Sequence, residues 1–106
     1  MDKNISVEKL KLMIVENQDF ILLDVRELPE LNICKLEYTE HIPMGQLPNN
    51  LAKLDKSKTI VVYCRSGGRS GACVDYLLGQ GFKDVFNLEG GILAWAEKID
   101  RSLAIY

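Results

Sequence analysis

The sequence predicts an α/β fold in which helices pack on a mainly parallel β-sheet, and three observations lead to that prediction. Apolar runs without polar alternation, such as Phe20–Val25, are typical of strands buried on both faces of a parallel sheet. Segments with helical spacing of apolar residues separate these runs. A length of 106 residues with 47% hydrophobic residues fits one domain, which we assign to residues 1–106.

The first elements follow from caps and periodicity. Ser6 is a favourable N-cap for an amphipathic helix over Val7–Asn17. The strand Phe20–Val25 follows, and its carboxyl end presents Asp24 and Arg26. We therefore expect these two charged side chains at the edge of the sheet where the strands end.

The segment from Glu27 to Ile42 is less regular. Pro29 favours the first turn of a short helix that runs through Cys34, and Tyr38–Ile42 fits a short strand. Pro48–Leu54 is interpreted as another short helix.

The second half of the chain alternates strands and helices more clearly. Glu89–Gly91 is predicted to form a tight turn, and its two glycines permit a close backbone approach to a neighbouring loop. The predicted elements are a strand at Thr59–Tyr63, a helix at Arg69–Gln80, a strand at Val85–Leu88 and a helix at Ile92–Ile99 that places Trp95 in the core.

Composition excludes several classes of protein. Thirteen Lys and Arg residues against fifteen Asp and Glu residues give a net charge of −2, which disfavours nucleic acid as a partner. The apolar runs are too short to span a bilayer and Met1–Asn4 starts no signal peptide, so we expect a cytoplasmic protein without membrane contacts. Three cysteines without a close CxxC pair argue against a disulfide framework and a structural zinc site.

The segment after the strand Thr59–Tyr63 carries the chemistry that the sequence predicts. Ligands of open α/β sheets bind beyond the carboxyl ends of the strands, where this segment lies. Adjacent glycines and the start of the next helix can direct several N–H groups at an anion, which favours the thiolate of Cys64 over its thiol. We predict that Cys64 is the nucleophile and that the surrounding substrate-binding residues are Arg65, Ser66, Gly67, Gly68 and Arg69.

Two chemistries use such a loop, and its length separates them. Cysteine phosphatases place an arginine six positions after the cysteine, whereas that position is Ser70 here. The arginine falls one position earlier, at Arg69, so the loop is better sized for sulfur than for a phosphate. Sulfur transfer is therefore favoured over phosphatase activity, and over a plain buried cysteine before a glycine-rich turn.

Three stretches of the chain together resemble the rhodanese-like sulfurtransferases. In the chain order of that family they are Leu22–Glu27 with His41–Pro43, Cys64–Ser70, and Asn87–Ile92 with Ala94–Trp95. A weaker likeness, through Ile33–Pro43, is to the rhodanese module of ubiquitin-like-activating enzymes of molybdenum cofactor and thiolation pathways. The chain departs from the family pattern around His-Ile-Pro, where Glu40 and Met44 replace glycines and Gly45 comes one step late.

The resemblance implies a three-layer fold, with a five-stranded, mainly parallel sheet between helices on both faces. It also implies that Cys64 takes sulfane sulfur from a small anionic donor such as thiosulfate, becomes a persulfide and passes the sulfur to an acceptor. Arg65 and Arg69 would bind the anionic donor, and no metal or organic cofactor is required. The alternative is a persulfide-carrying relay module served by a protein such as a cysteine desulfurase or a sulfur carrier.

The remaining polar residues are expected to have structural roles. Asp24 and Arg26 are expected to orient the loop by hydrogen bonds, and Arg69 either binds donor or pairs with Asp24. His41 is expected to be hydrogen-bonded rather than a general base. Cys73 falls about one turn into the helix after the loop, where a small apolar residue is needed.

Overall fold

A computed structural model describes residues 3–106 and shows a five-stranded sheet with every pair of neighbouring strands parallel. The spatial order of the strands is β1-β5-β4-β2-β3, which places β4 at the centre. The strands are β1 (Asn4–Ile5), β2 (Phe20–Asp24), β3 (Thr39–His41), β4 (Thr59–Tyr63) and β5 (Val85–Leu88). The predicted α/β class and parallel sheet are confirmed.

Helices cover both faces of the sheet. They are α1 (Val7–Val15), α2 (Leu28–Leu31), a 3-10 helix (Met44–Lys53), α3 (Gly68–Gly79) and α4 (Gly91–Lys98). Alternate residues of β4 enter different cores, because successive side chains of a strand point to opposite faces. Ile60 and Val62 pack with Leu77 of α3, whereas Val61 and Tyr63 belong to the core that contains Leu10 and Trp95. The molecule therefore has the three layers that the resemblance implies.

The caps and bounds of the helices agree with the sequence in part. The Ser6 hydroxyl accepts a hydrogen bond from the N–H of Lys9 at 3.0 Å, as expected of an N-cap. Helix α1 ends at Val15, two residues early, because Asn17 has a positive φ of 53° that no right-handed helix continues through. The 3-10 helix begins at Met44 rather than Pro48, and Asn50 breaks its helical geometry.

The irregular segment after β2 also differs from the prediction. Helix α2 ends at Leu31 instead of continuing through Cys34. Beyond His41, the N–H of Met44 donates to the carbonyl of Val25 at 2.9 Å. Neither Glu40 nor Met44, which replace the glycines of the family pattern, has a positive φ, so the backbone needs no glycine at these two positions.

Candidate active site

Cys64 follows directly after β4 and lies beyond the carboxyl end of the central strand. The segment from Cys64 to Ser70 connects β4 to α3, with Ser66 and Gly68 exposed at its tip. A Cβ atom added at Gly68 would meet no atom within 4 Å, so this side of the loop is open to an incoming molecule. The structure thus places the predicted nucleophile at the edge where α/β sheets bind ligands.

Several hydrogen bonds converge on the sulfur of Cys64. Its Sγ accepts from the N–H of Gly67 at 3.1 Å, the N–H of Ser70 at 3.4 Å and the hydroxyl of Ser70 at 3.2 Å. Burial of the sulfur raises the pKa of Cys64, but these hydrogen bonds and one from the N–H of Ser66 outweigh it. The pKa of Cys64 therefore lies below its ordinary value. A sulfur in this environment is stabilised as the thiolate, which is the nucleophilic form.

The loop can present its N–H groups to the sulfur because Gly67 adopts a left-handed conformation. Its φ is 111°, which strongly favours glycine, and it is the N-cap of the twelve-residue helix α3. The partial positive charge at the start of this helix faces the same sulfur. The backbone alone thus forms an anion-binding cradle around Cys64.

Helix α4 fixes the other side of the loop. The N–H of Ile92 donates to the carbonyl of Cys64 at 3.0 Å, and the N–H of Leu93 donates to the carbonyl of Arg65 at 3.1 Å. A Cβ atom on Gly91 would lie 2.4 Å from the carbonyl oxygen of Arg65, and the φ of Gly91 is 62°. The close backbone approach predicted for Gly90–Gly91 is therefore present, and it joins the active loop to the start of α4.

Asn87 is a positioning residue to which the sequence assigned no role, although it opens the third stretch of the family resemblance. Its Oδ1 accepts a hydrogen bond from the Ser70 hydroxyl at 2.5 Å, and its Nδ2 donates to the carbonyl of Gly67 at 3.2 Å. A hydroxyl has one proton, so Ser70 donates either to Asn87 or to Cys64 at a given moment. The available signal was the place of Asn87 near the end of β5, the neighbour of β4 in the sheet.

Arg69 forms an ion pair with Glu30. Its guanidinium donates two hydrogen bonds of 2.7 Å to the two carboxylate oxygens of Glu30 in α2. The expected alternative, a pair with Asp24, is wrong. Asp24 is instead occupied by Arg26, which reaches it from two residues along the chain. The carboxylate that braces the loop therefore comes from α2, a helix whose position the sequence did not reveal.

Arg65 is held against Tyr106. Its Nε donates to the main-chain oxygen of Tyr106 at 2.6 Å, and a second guanidinium nitrogen donates to the same atom. The guanidinium carbon also lies 5.2 Å from the centre of the Tyr106 ring, within the range of a cation–π interaction. Both arginines of the loop are thus engaged by groups of the protein.

Asp24 and Arg26 form an ion pair whose side chains are fully buried. Arg26 also donates to the hydroxyl of Tyr106 at 2.9 Å and to the carbonyl of Cys34 at 2.8 Å. His41 Nε2 lies 2.7 Å from the main-chain oxygen of Arg26, in agreement with the expected structural hydrogen bond. These residues connect the carboxyl end of β2 to the segments around the loop.

The other two cysteines are buried and do not form disulfides. Cys73 lies in α3, where burial and the neighbouring Cys64 raise its pKa to about 11. It is therefore protonated at neutral pH and packs as a small apolar residue, as expected. Among residues 3–106, no group of three or more His, Cys, Asp or Glu side chains is arranged to hold a metal ion. No helix in the same range is both long and apolar enough to cross a membrane.

Comparison with known proteins identifies the family of the chain. A model of the rhodanese-like domain matches residues 6–98. The chain belongs to this family. Among the curated rhodanese-like relatives, a sulfurtransferase of Allochromatium vinosum is 35% identical over 96 residues, which cover 91% of this chain and 90% of that protein. A putative sulfurtransferase of Bacillus subtilis is 44% identical over 93 residues, which cover 88% and 89% of the two chains.

A solved structure agrees with the rhodanese-like fold. The crystal structure of a rhodanese-like domain protein from Staphylococcus aureus superposes with a TM-score of 0.85 at 33% identity, over 98% of each chain. The weaker likeness to longer enzymes is also confirmed. A probable adenylyltransferase/sulfurtransferase of Mycobacterium tuberculosis is 31% identical over 104 residues, which cover 96% of this chain but 26% of that protein. The rhodanese-like relatives thus include single-domain sulfurtransferases and one module of a larger enzyme.

Proposed function

We propose that this protein is a sulfurtransferase that carries sulfane sulfur as a persulfide on Cys64. The observation that supports the proposal most strongly is the set of hydrogen bonds donated to Cys64 Sγ by Gly67 and Ser70. These donors stabilise a negatively charged sulfur before and after it takes up a second sulfur atom. The relatives named sulfurtransferase support the same general activity.

The proposed cycle has two steps. The Cys64 thiolate attacks the outer sulfur of the donor, a new S–S bond forms, and the donor's own sulfur bond breaks with its electron pair. With thiosulfate, the products are the Cys64 persulfide anion and sulfite. An acceptor thiolate or cyanide then attacks the outer sulfur of the persulfide and regenerates the Cys64 thiolate. Arg65, Ser66, Gly67, Gly68 and Arg69 are proposed to surround the incoming donor.

Phosphatase activity is the weaker candidate on geometric grounds. The position where a cysteine phosphatase has its arginine is occupied by Ser70, whose hydroxyl points at Cys64 Sγ. Arg69 forms an ion pair with Glu30 instead of being available to bind a phosphate. The cradle therefore presents backbone N–H groups and one hydroxyl to a single sulfur atom.

The test is turnover with thiosulfate and cyanide, followed as thiocyanate release. Wild type and Cys73→Ser should release thiocyanate at similar rates, because Cys73 is protonated and plays no part in the cycle. Cys64→Ser should release none above the uncatalysed rate. Equal release by Cys64→Ser and wild type would reject Cys64 as the sulfur carrier.

A second candidate is a sulfur relay module that exchanges sulfur with a protein such as a cysteine desulfurase or a sulfur carrier. Two observations favour it: the charge of Arg69 is compensated by Glu30, and two guanidinium nitrogens of Arg65 already donate to Tyr106 instead of a small anion. The relative that forms part of a larger adenylyltransferase/sulfurtransferase also supports it. A relay module would form the Cys64 persulfide yet turn over small acceptors slowly.

We also propose that residues 1–106 act as one domain in the cytoplasm. The three cysteines without disulfides support this location, because thiols persist in a reducing compartment. A single cooperative unfolding transition, seen at the same urea concentration by circular dichroism and by Trp95 fluorescence, tests the one-domain assignment. Two separated transitions would contradict it.

A further inference from the structure

Glu30 places a negative charge beside the active loop. Its carboxylate oxygens accept the two 2.7 Å hydrogen bonds from Arg69, the hydroxyl of Tyr106 donates at 2.9 Å, and the N–H of Glu27 donates at 2.8 Å. The last bond belongs to the capping box that starts α2, so the carboxylate is fixed by its own helix. Glu30 is thus held in place from three directions.

This carboxylate stays ionised throughout the physiological range. The hydrogen bonds from Arg69 are the largest cause that lowers the pKa of Glu30, to about 2. The side chain of Glu30 is 19% exposed and that of Arg69 is 37% exposed. The two opposite charges therefore form a permanent pair at the side of the site, with no net charge.

Arg69 belongs to the active loop and directly precedes Ser70, whose N–H and hydroxyl donate to Cys64 Sγ. An electrostatic interaction with Cys64 is among the causes that raise the pKa of Arg69. A free Arg69 would attract anions to Cys64, but Glu30 cancels most of that attraction at any distance much longer than the pair itself. Arg65 is the other cation of the loop, and two of its guanidinium nitrogens already donate to the main-chain oxygen of Tyr106.

The negative charge of the donor determines how much its loading rate depends on attraction by Arg69. Thiosulfate brings two negative charges to a thiolate, whereas a persulfide in its reactive form, R–S–SH, brings none on its sulfur atoms. In the persulfide reaction, the Cys64 thiolate attacks the outer sulfur, the S–S bond of the donor breaks, and R–S⁻ leaves. The proton on the outer sulfur is transferred together with that sulfur, so the product is Cys64–S–SH and no other reactant is needed.

We propose that the Glu30–Arg69 pair makes Cys64 selective for a persulfide, R–S–SH, over thiosulfate as its sulfur donor. The inference rests on the proposed function of Cys64. The persulfide has two sources, a small free thiol or a cysteine on another protein. Both present the same R–S–SH group to Cys64.

The experiment measures the single-turnover rate at which an additional sulfur atom appears on the protein by intact mass. The donors are thiosulfate, 2-hydroxyethyl persulfide as a free persulfide, and persulfidated serum albumin as a protein-bound one. The variant is Glu30→Gln, which keeps the shape of the side chain and removes its charge. The matched control is Glu89→Gln, which removes the same charge from an exposed residue next to the Gly90–Gly91 turn.

Wild type should load faster from a persulfide than from thiosulfate. Glu30→Gln should accelerate thiosulfate loading about tenfold and change loading from 2-hydroxyethyl persulfide less than about twofold. Glu89→Gln should change neither rate by more than about twofold. Faster loading from albumin than from the free persulfide assigns the donor to a protein, and the reverse order assigns it to a free persulfide.

Three results would overturn the proposal. They are wild-type loading at least as fast from thiosulfate as from either persulfide, no acceleration by Glu30→Gln, and equal acceleration by Glu89→Gln. Wild type also gives a test that needs no variant. With the charge of Arg69 compensated, thiosulfate loading should not decrease steeply as salt is added, and such a decrease would contradict the proposal. In each of these cases Cys64 still takes up sulfur, whereas the failure of all three donors would reject the proposed function itself.

Discussion

Replacement of Gly91 by alanine tests how α4 holds the active loop. The new Cβ would lie 2.4 Å from the carbonyl oxygen of Arg65 and 2.7 Å from that of Cys64. These oxygens belong to backbone that has already accepted hydrogen bonds from Ile92 and Leu93, so the contact can be relieved only by moving the loop away from α4.

The cost follows from the same geometry. A side chain at the left-handed φ of 62° costs roughly 1–2 kcal/mol. The two backbone hydrogen bonds that separation would break are each worth about 1 kcal/mol net. We therefore expect Gly91→Ala to lower the free energy of unfolding by about 3–4 kcal/mol, a large part of the total stability of a typical domain.

Urea unfolding followed by circular dichroism measures this change, and Gly79→Ala is the matched control. Gly79 has no positive φ, and a Cβ atom there would meet nothing within 4 Å, so Gly79→Ala should raise stability by up to about 1 kcal/mol. If Gly91→Ala lost less than about 1 kcal/mol, the described contact between α4 and the loop would be refuted.

Three further predictions concern charge. Ser70→Ala removes a donor to the thiolate, so the apparent pKa of Cys64 should rise in the pH profile of alkylation by iodoacetamide. An unchanged profile would contradict this role. Arg26→Leu leaves the buried carboxylate of Asp24 unpaired and should cost about 3–5 kcal/mol in urea unfolding; a loss below about 1 kcal/mol would argue against a tight pair. Glu30→Gln should cost about 1 kcal/mol at pH 7 after solvent screening. The pKa of Glu30 is lowered to about 2 in the folded protein, so this contribution is fully present above the unfolded pKa of about 4.3 and is lost as the pH falls toward 2. A difference in unfolding free energy between wild type and Glu30→Gln that persists at pH 2 would contradict the ion pair.

Local patterns predicted the central part of the fold well. The strands β2 and β4 are continuous apolar runs, so periodicity and length identified them within one residue. The two-residue strand β1 was not predicted, because it is too short to show any pattern and forms by pairing with β5. The 3-10 helix began earlier than expected, since its geometry depends on how Met44 attaches to the segment after β2.

The candidate site could likewise be predicted only where its residues are close together in the sequence. The loop from Cys64 to Ser70 could be predicted because its backbone, glycines and nucleophile are contiguous in sequence. The partners of its side chains could not, because Glu30 and Asn87 reach the loop from distant parts of the chain. Arg69 was expected to bind donor or to pair with Asp24, and its partner Glu30 could be identified only once the position of α2 was known.

The role of Cys64 as the sulfur carrier is tested by locating the transferred sulfur on the protein. The purified, reduced protein is loaded with a sulfane-sulfur donor, and intact mass followed by peptide mapping locates any added sulfur. We expect one additional sulfur atom on the peptide that contains Cys64, and none on Cys34 or Cys73 or in Cys64→Ser. Added sulfur on Cys73 or Cys34, or on Cys64→Ser to the same extent as on wild type, would contradict it.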